Sequence, residues 1–152
     1  MKRFVFLLLL GIAFTGCSTD DDSSTVSYEF AAITDSDLPE FFEQGKAYDL
    51  KFTYKLPSTC HIFLGFDGGR ENESSNEFFI YALTSISSAA TNCNDSNEED
   101  LVFESTIRNF RISNIPGEAE KIIFQLWTGS DAEGNPIFDT VEVPIGVLNE
   151  SS

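Results

Sequence analysis

From residue 26 onward apolar and polar positions alternate with a period of two, the repeat of strands whose two faces meet different surroundings. The clearest stretch is Lys46 to Leu56. Tyr48, Leu50, Phe52, Tyr54 and Leu56 fall on one face, and Asp49, Lys51, Thr53 and Lys55 on the other. The same pattern predicts strands over 26–33, 60–66, 77–86, 101–112, 120–128 and 137–147. Within 101–112 the apolar phase moves from Leu101, Phe103 and Ile107 to Phe110 and Ile112, which predicts a bulge near Arg108 and Asn109. Breakers separate the strands at Asp67-Gly68-Gly69, Asn92 to Asp100, Pro116-Gly117 and Gly129 to Pro136. Asp37 to Gly45 suggests one helical turn: Asp37 can cap it, Pro39 suits its first turn and Gly45 can end it. No stretch sustains a 3.6-residue period, and no internal repeat is visible. The expected fold is therefore all-β, an immunoglobulin-like antiparallel β-sandwich of about seven strands, with a jelly roll or small barrel as alternatives. Fifteen phenylalanines suit such a core, because each buries a large apolar area within a thin layer.

The first two dozen residues do not share this pattern. Lys2 and Arg3 form a positive start, Phe4 to Phe14 a short apolar run, and Thr15-Gly16-Cys17 a small-residue processing site. This is the layout of a secretory signal peptide. The alternative, a membrane-spanning anchor, needs about 20 apolar residues, and Thr15 and Gly16 break the run too early. Phe14-Thr15-Gly16-Cys17 resembles a bacterial lipobox, with Phe where Leu is usual. The resemblance implies removal of residues 1–16 and lipidation of Cys17. Ser18-Thr19-Asp20-Asp21-Asp22 resembles the acidic export signal of Bacteroidota lipoproteins, which implies the outer face of the outer membrane. Residues 17–25 would then be the lipidated cysteine and a polar leash too poor in apolar surface to order itself, and 26–148 a single domain.

The body carries a looser resemblance. Leu38 to Gly45, Tyr48 to Tyr54, Pro57-Ser58-Thr59-Cys60 and Phe63-Leu64-Gly65-Phe66 form one part of it, and Trp127 to Asp131 with Val141-Glu142-Val143-Pro144 the other. They are similar to a group of small all-β lipoproteins of flavobacterial type. That group has no known activity to transfer, so the resemblance implies architecture alone.

Charge narrows the partners. The 152-residue chain carries −16, and loss of Lys2 and Arg3 leaves 7 basic and 25 acidic residues, or −18. Such a surface repels phosphate, which argues against nucleic acid, and holds the domain off an anionic leaflet at the length of its leash. It could attract calcium, although solubility alone accounts for it. No other cofactor is implied. With Cys17 assigned to lipid, Cys60 and Cys93 remain as an even pair in an oxidising compartment, which predicts a disulfide. The competing metal site with His61 is disfavoured because consecutive strand residues, here Cys60 and His61, point to opposite faces.

Candidate chemistry is sparse. Trp127, the only tryptophan, lies on Lys121 to Trp127, where Ile122, Phe124 and Leu126 share one face and Ile123, Gln125 and Trp127 the other. A solvent-facing Trp127 could stack on a sugar ring, and a covered one is simply core, the default for a large aromatic in a small domain. Asp131-Ala132-Glu133-Gly134-Asn135 places oxygen donors at alternate positions, as calcium requires, but Asp131 and Asn135 equally suit a hairpin turn. The acidic loop Asn92 to Asp100 invites the same two readings. His61, the only histidine, would have to carry any Ser-His-Asp or Cys-His engine, and no nucleophile elbow, zinc signature or phosphate loop accompanies it. A pair of carboxylates could perform glycoside hydrolysis, but 25 acidic residues nominate no pair. The sequence thus points to a surface-exposed outer-membrane lipoprotein that binds a glycan or envelope component without catalysis. A subunit of an envelope protein complex is the alternative, and a carbohydrate-active hydrolase ranks below both.

Overall fold

The alternation over Lys46 to Leu56 is realised as a half-buried strand: Leu50, Phe52, Tyr54 and Leu56 are buried, and Tyr48 packs against them. The computed structural model describes residues 25–94, 101–112 and 119–146. It holds seven strands: β1 (Val26–Asp37), β2 (Ala47–Lys55), β3 (Ile62–Arg70), β4 (Glu77–Ser87), β5 (Val102–Arg111), β6 (Lys121–Ser130) and β7 (Pro136–Pro144). Each answers to one expected segment, but β3 runs past its expected end: Asp67-Gly68-Gly69, expected to break the chain, stay in the strand and pair with Tyr81, Ile80 and Phe79. Cys17 and the processing site lie outside the described residues.

The architecture is an open all-β sandwich, not a closed barrel. In the first sheet β4 pairs with β3 on one side; on the other it pairs with β1 over Ala82–Ser87 and with β6 over Glu77–Ile80. β7 pairs outside β6. In the second sheet β2 lies between β5 and the later half of β1. β1 serves both sheets, pairing β4 through Ala31 and β2 from Ala32, and a register shift between Ile33 and Asp35 accompanies the crossing. One pair departs from the antiparallel expectation: β4 and β6 run parallel. Parallel neighbours need a crossover connection, and here β5, in the opposite sheet, lies on that connection.

Two local expectations have different outcomes. The β5 bulge forms where the apolar phase slips: Ile107 faces Leu50 and Phe110 faces Tyr48, so Arg108 and Asn109 together oppose Asp49. Asn109 takes φ +57°, and its N–H donates to the Asp49 carboxylate at 3.1 Å. The helical turn over Asp37 to Gly45 does not form. Asp37 still belongs to β1, and Phe42, fully buried, bridges Ile145 instead. Its N–H donates to Pro144 O at 2.8 Å and its carbonyl accepts from Gly146 N at 3.0 Å. Burial of a phenylalanine outweighs a capping signal worth about 1 kcal/mol.

The core lies between the sheets. Ala31, Ile80, Ala82, Ile122, Phe124 and Leu126 come from the first sheet and Leu50, Phe52 and Tyr54 from the second. Phe42, Phe78, Phe110 and Phe124 meet edge-on or tilted at 5.3–6.0 Å, a favoured geometry for aromatic rings. Cys60 and Cys93 are bonded, with Cα atoms 5.2 Å apart. Thr59 N donates to Asn94 O and Asn94 N to Thr59 Oγ1, both at 3.0 Å, so the loop after β4 is fastened to the start of β3.

Candidate functional site

Because strand side chains alternate, the phase that buries Ile80, Ala82, Phe124 and Leu126 sends Phe79, Tyr81, Gln125 and Trp127 to the outer face of the first sheet. Phe30 of β1 and Phe138 of β7 join them through their pairing with Leu83 and Trp127. An antiparallel sheet normally turns a polar face to water. This one turns rings. Phe30 meets Tyr81 at 4.8 Å and Trp127 at 5.6 Å, while Phe138 meets Tyr81 at 5.8 Å and Phe79 at 5.3 Å. Trp127 is therefore half-buried in a surface cluster rather than part of the core, which corrects the default expectation. Ile122, Phe124 and Leu126, exposed by 2% or less, fix the phase of β6, and Trp127 is one residue out of step with them.

Polar groups border the rings. Gln125 donates to Glu77 Oε1 at 2.5 Å and accepts from Thr140 Oγ1 at 2.8 Å, a chain across three strands beside Phe79. Two hollows adjoin the cluster. One, of about 540 Å³, is lined by Gly68, Gly69, Arg70, Glu71, Phe79 and Tyr81. Gly69 faces Phe79 across the β3–β4 pairing, and with no side chain there the ring edge stays open. The other, of about 380 Å³, runs from Phe30 and Trp127 to Lys55, Pro57 and Leu101. Aromatic walls with a few directed polar groups are the composition of a small-ligand site.

The other sequence candidates lie elsewhere. Asp131 and Asn135 close the β6–β7 hairpin on each other: Asp131 Oδ1 accepts from the backbone N–H of Glu133 at 3.0 Å and of Asn135 at 2.8 Å, and Oδ2 from Asn135 Nδ2 at 2.9 Å. These bonds, the Asn135 side chain first among them, hold the Asp131 carboxyl below the ordinary aspartate range. Both carboxylate oxygens thus serve the turn. Among the described residues no three His, Cys, Asp or Glu side chains converge as a metal site, and the bonded sulfurs of Cys60 and Cys93 leave no thiolate to join His61.

His61 has partners that the sequence did not reveal. Its Nδ1 lies 2.8 Å from Ser58 Oγ and its Nε2 3.2 Å from Glu29 Oε2. Ser58, three residues earlier on a turn, could have been nominated from spacing. Glu29 could not, because only the pairing of β1 and β3 with β4 brings it there. A hydroxyl–imidazole–carboxylate chain is the raw material of a nucleophilic engine, but Ser58 Oγ also accepts from Cys60 N at 3.3 Å within its own turn. What the arrangement accomplishes is satisfaction of both nitrogens of a buried imidazole at one end of the sandwich.

No protein-family model, curated protein or solved structure matches the chain.

Proposed function

We propose that the chain is a surface-exposed outer-membrane lipoprotein, held by acyl chains on Cys17, that binds a neutral glycan without catalysis on the outer face of its first sheet. The observation that carries the reading is the ring cluster of Phe30, Phe79, Tyr81, Trp127 and Phe138 on a face where a solvated sheet places polar side chains. Aromatic faces take the C–H faces of pyranose rings, and Gln125, Glu77 and Thr140 supply hydroxyl partners beside them. A mature charge of −18 disfavours anionic polysaccharides and leaves neutral ones. Anchoring follows from the lipobox-like Phe14 to Cys17, since two or more acyl chains give stable attachment where one does not.

Retention of the mature protein on neutral polysaccharide columns, and its loss in Trp127→Ala with the thermal midpoint kept, tests the binding claim. Normal retention of Trp127→Ala removes the face from the account. Cys17→Ala should release the protein from membranes, and a variant that stays bound refutes lipid anchoring. Protease shaving of intact cells tests surface display. Capture of a stoichiometric protein partner in cells, with no glycan retention, would transfer the face to the envelope-subunit reading.

A further inference from the structure

Most exposed apolar side chains of the first sheet lie at one end of it. Tyr28 is 67% exposed, Ile62 66%, Val26 52% and Leu64 50%. The pairing makes several of them neighbours: Tyr28 and Ile62 flank Ser85 from opposite sides, and Val26 lies against Ser87. At about 4.8 Å per strand, Tyr28 to Ile62 spans roughly 10 Å. Leu64 sits at the β3 register shift beside them. The ring cluster begins beside this patch, since Phe30 follows Tyr28 on the same face of β1 at about 7 Å, and extends away from it to Tyr81, four residues back along β4 from Ser85, about 13 Å.

The chain that leads to Cys17 leaves from this same end. Thr25 is fastened to Ser88: its N–H donates to Ser88 Oγ at 3.0 Å, and its carbonyl accepts from Ser88 N at 2.8 Å. Only eight peptide units separate Thr25 from Cys17, so the two Cα atoms lie at most about 28 Å apart. Local charge is low as well. Residues 56–66 and 82–94 contain no Asp, Glu, Lys or Arg, in a chain with 25 acidic residues. Glu29, next to Tyr28, reaches His61.

We propose that Val26, Tyr28, Ile62 and Leu64 form a docking patch that rests on the lipid surface entered by the acyl chains on Cys17. The proposal rests on the lipoprotein reading and adds an orientation to it. A patch this small binds a free bilayer weakly, but a short tether makes the contact intramolecular and raises its effective concentration into the millimolar range. Tyr suits the headgroup boundary, with its ring in the apolar layer and its hydroxyl in water. The acidic runs that flank these segments in sequence, Asp20 to Asp22 and Asp95 to Asp100, make a zwitterionic surface the preferred one. Docked by this end of the sheet, the domain places Phe30 nearest the lipid among the cluster rings and holds Tyr81 and Phe138 farther from it.

The test couples the full mature chain through the Cys17 thiol to a maleimide lipid in phosphatidylcholine vesicles, so that it does not depend on acylation in the cell. Tyr28→Trp and Phe138→Trp are compared, each in a Trp127→Phe background, with brominated lipid as quencher. The expected result is quenching of position 28 at least about threefold stronger than of position 138, lost in Tyr28→Trp/Ile62→Glu with the thermal midpoint unchanged. Equal quenching at both positions, none at position 28, or indifference to Ile62→Glu overturns the patch. The mass of Cys17 purified from cells tests the anchor separately, so failure of one claim is distinguishable from failure of the other.

Discussion

Replacing both Cys60 and Cys93 by serine removes the cross-link and leaves no unpaired thiol. The bond closes a loop of 33 residues, and on the chain-entropy relation its loss frees about 12.5 cal/mol/K in the unfolded chain, or roughly 3.7 kcal/mol at 25 °C. With about 2.1 cal/mol/K of unfolding entropy per residue, the 136-residue mature chain should melt roughly 13 °C lower. Urea unfolding followed by far-ultraviolet circular dichroism measures the loss directly. The slope against urea should rise, because the unfolded chain without its cross-link exposes more surface. Amide exchange should also quicken at Asn94, whose bond to Thr59 Oγ1 the cross-link protects. A loss below about 1 kcal/mol with an unchanged slope would refute the reasoning, since it would mean that the bond does not restrict the unfolded ensemble.

Three further substitutions probe the face and its hairpin. Gly68→Ala should destabilise by about 3–5 kcal/mol, because φ is +139° and a Cβ would lie 1.9 Å from the Phe79 carbonyl oxygen, whereas Gly69→Ala, with nothing within 4 Å, should cost less than about 1 kcal/mol. Equal costs in urea unfolding would mean that β3 does not approach β4 so closely. Asn135→Ala should raise the Asp131 pKa toward the ordinary aspartate value. A carboxyl whose folded pKa is depressed contributes stability above its unfolded pKa and loses it as pH falls through the folded pKa, so in the variant that contribution should be smaller and its loss complete at a higher pH. Carboxyl-carbon NMR follows the midpoint, and an unshifted midpoint would show that the Asn135 side chain does not hold the charge.

Much of this fold was legible in the sequence. Period-two alternation located all seven strands because each packs apolar side chains against the core, and the slip between Ile107 and Phe110 located the β5 bulge because a bulge is the way a strand changes phase. The segment Asp37 to Gly45 misled because cap residues are a local signal, while Phe42 is drawn to the end of β7 by a contact about a hundred residues distant in sequence. The same limit governs the site. The phase of Trp127 against Ile122, Phe124 and Leu126 was visible, but whether its face was covered depended on which strands became neighbours. The meeting of Phe30, Tyr81 and Phe138 with it depends on the order of strands and on β1 crossing between sheets. Glu29 beside His61 was hidden for the same reason.

Trp127 is the only tryptophan in the chain, so the intrinsic fluorescence of the mature protein reports on the proposed binding face without a label. Titration with a panel of neutral oligosaccharides is the most direct test of the central claim. The account predicts that at least one shifts the Trp127 emission to shorter wavelength, shields it from iodide quenching and saturates, as a ring stacked on a half-buried indole requires. Emission and quenching that stay unchanged across the panel would contradict it.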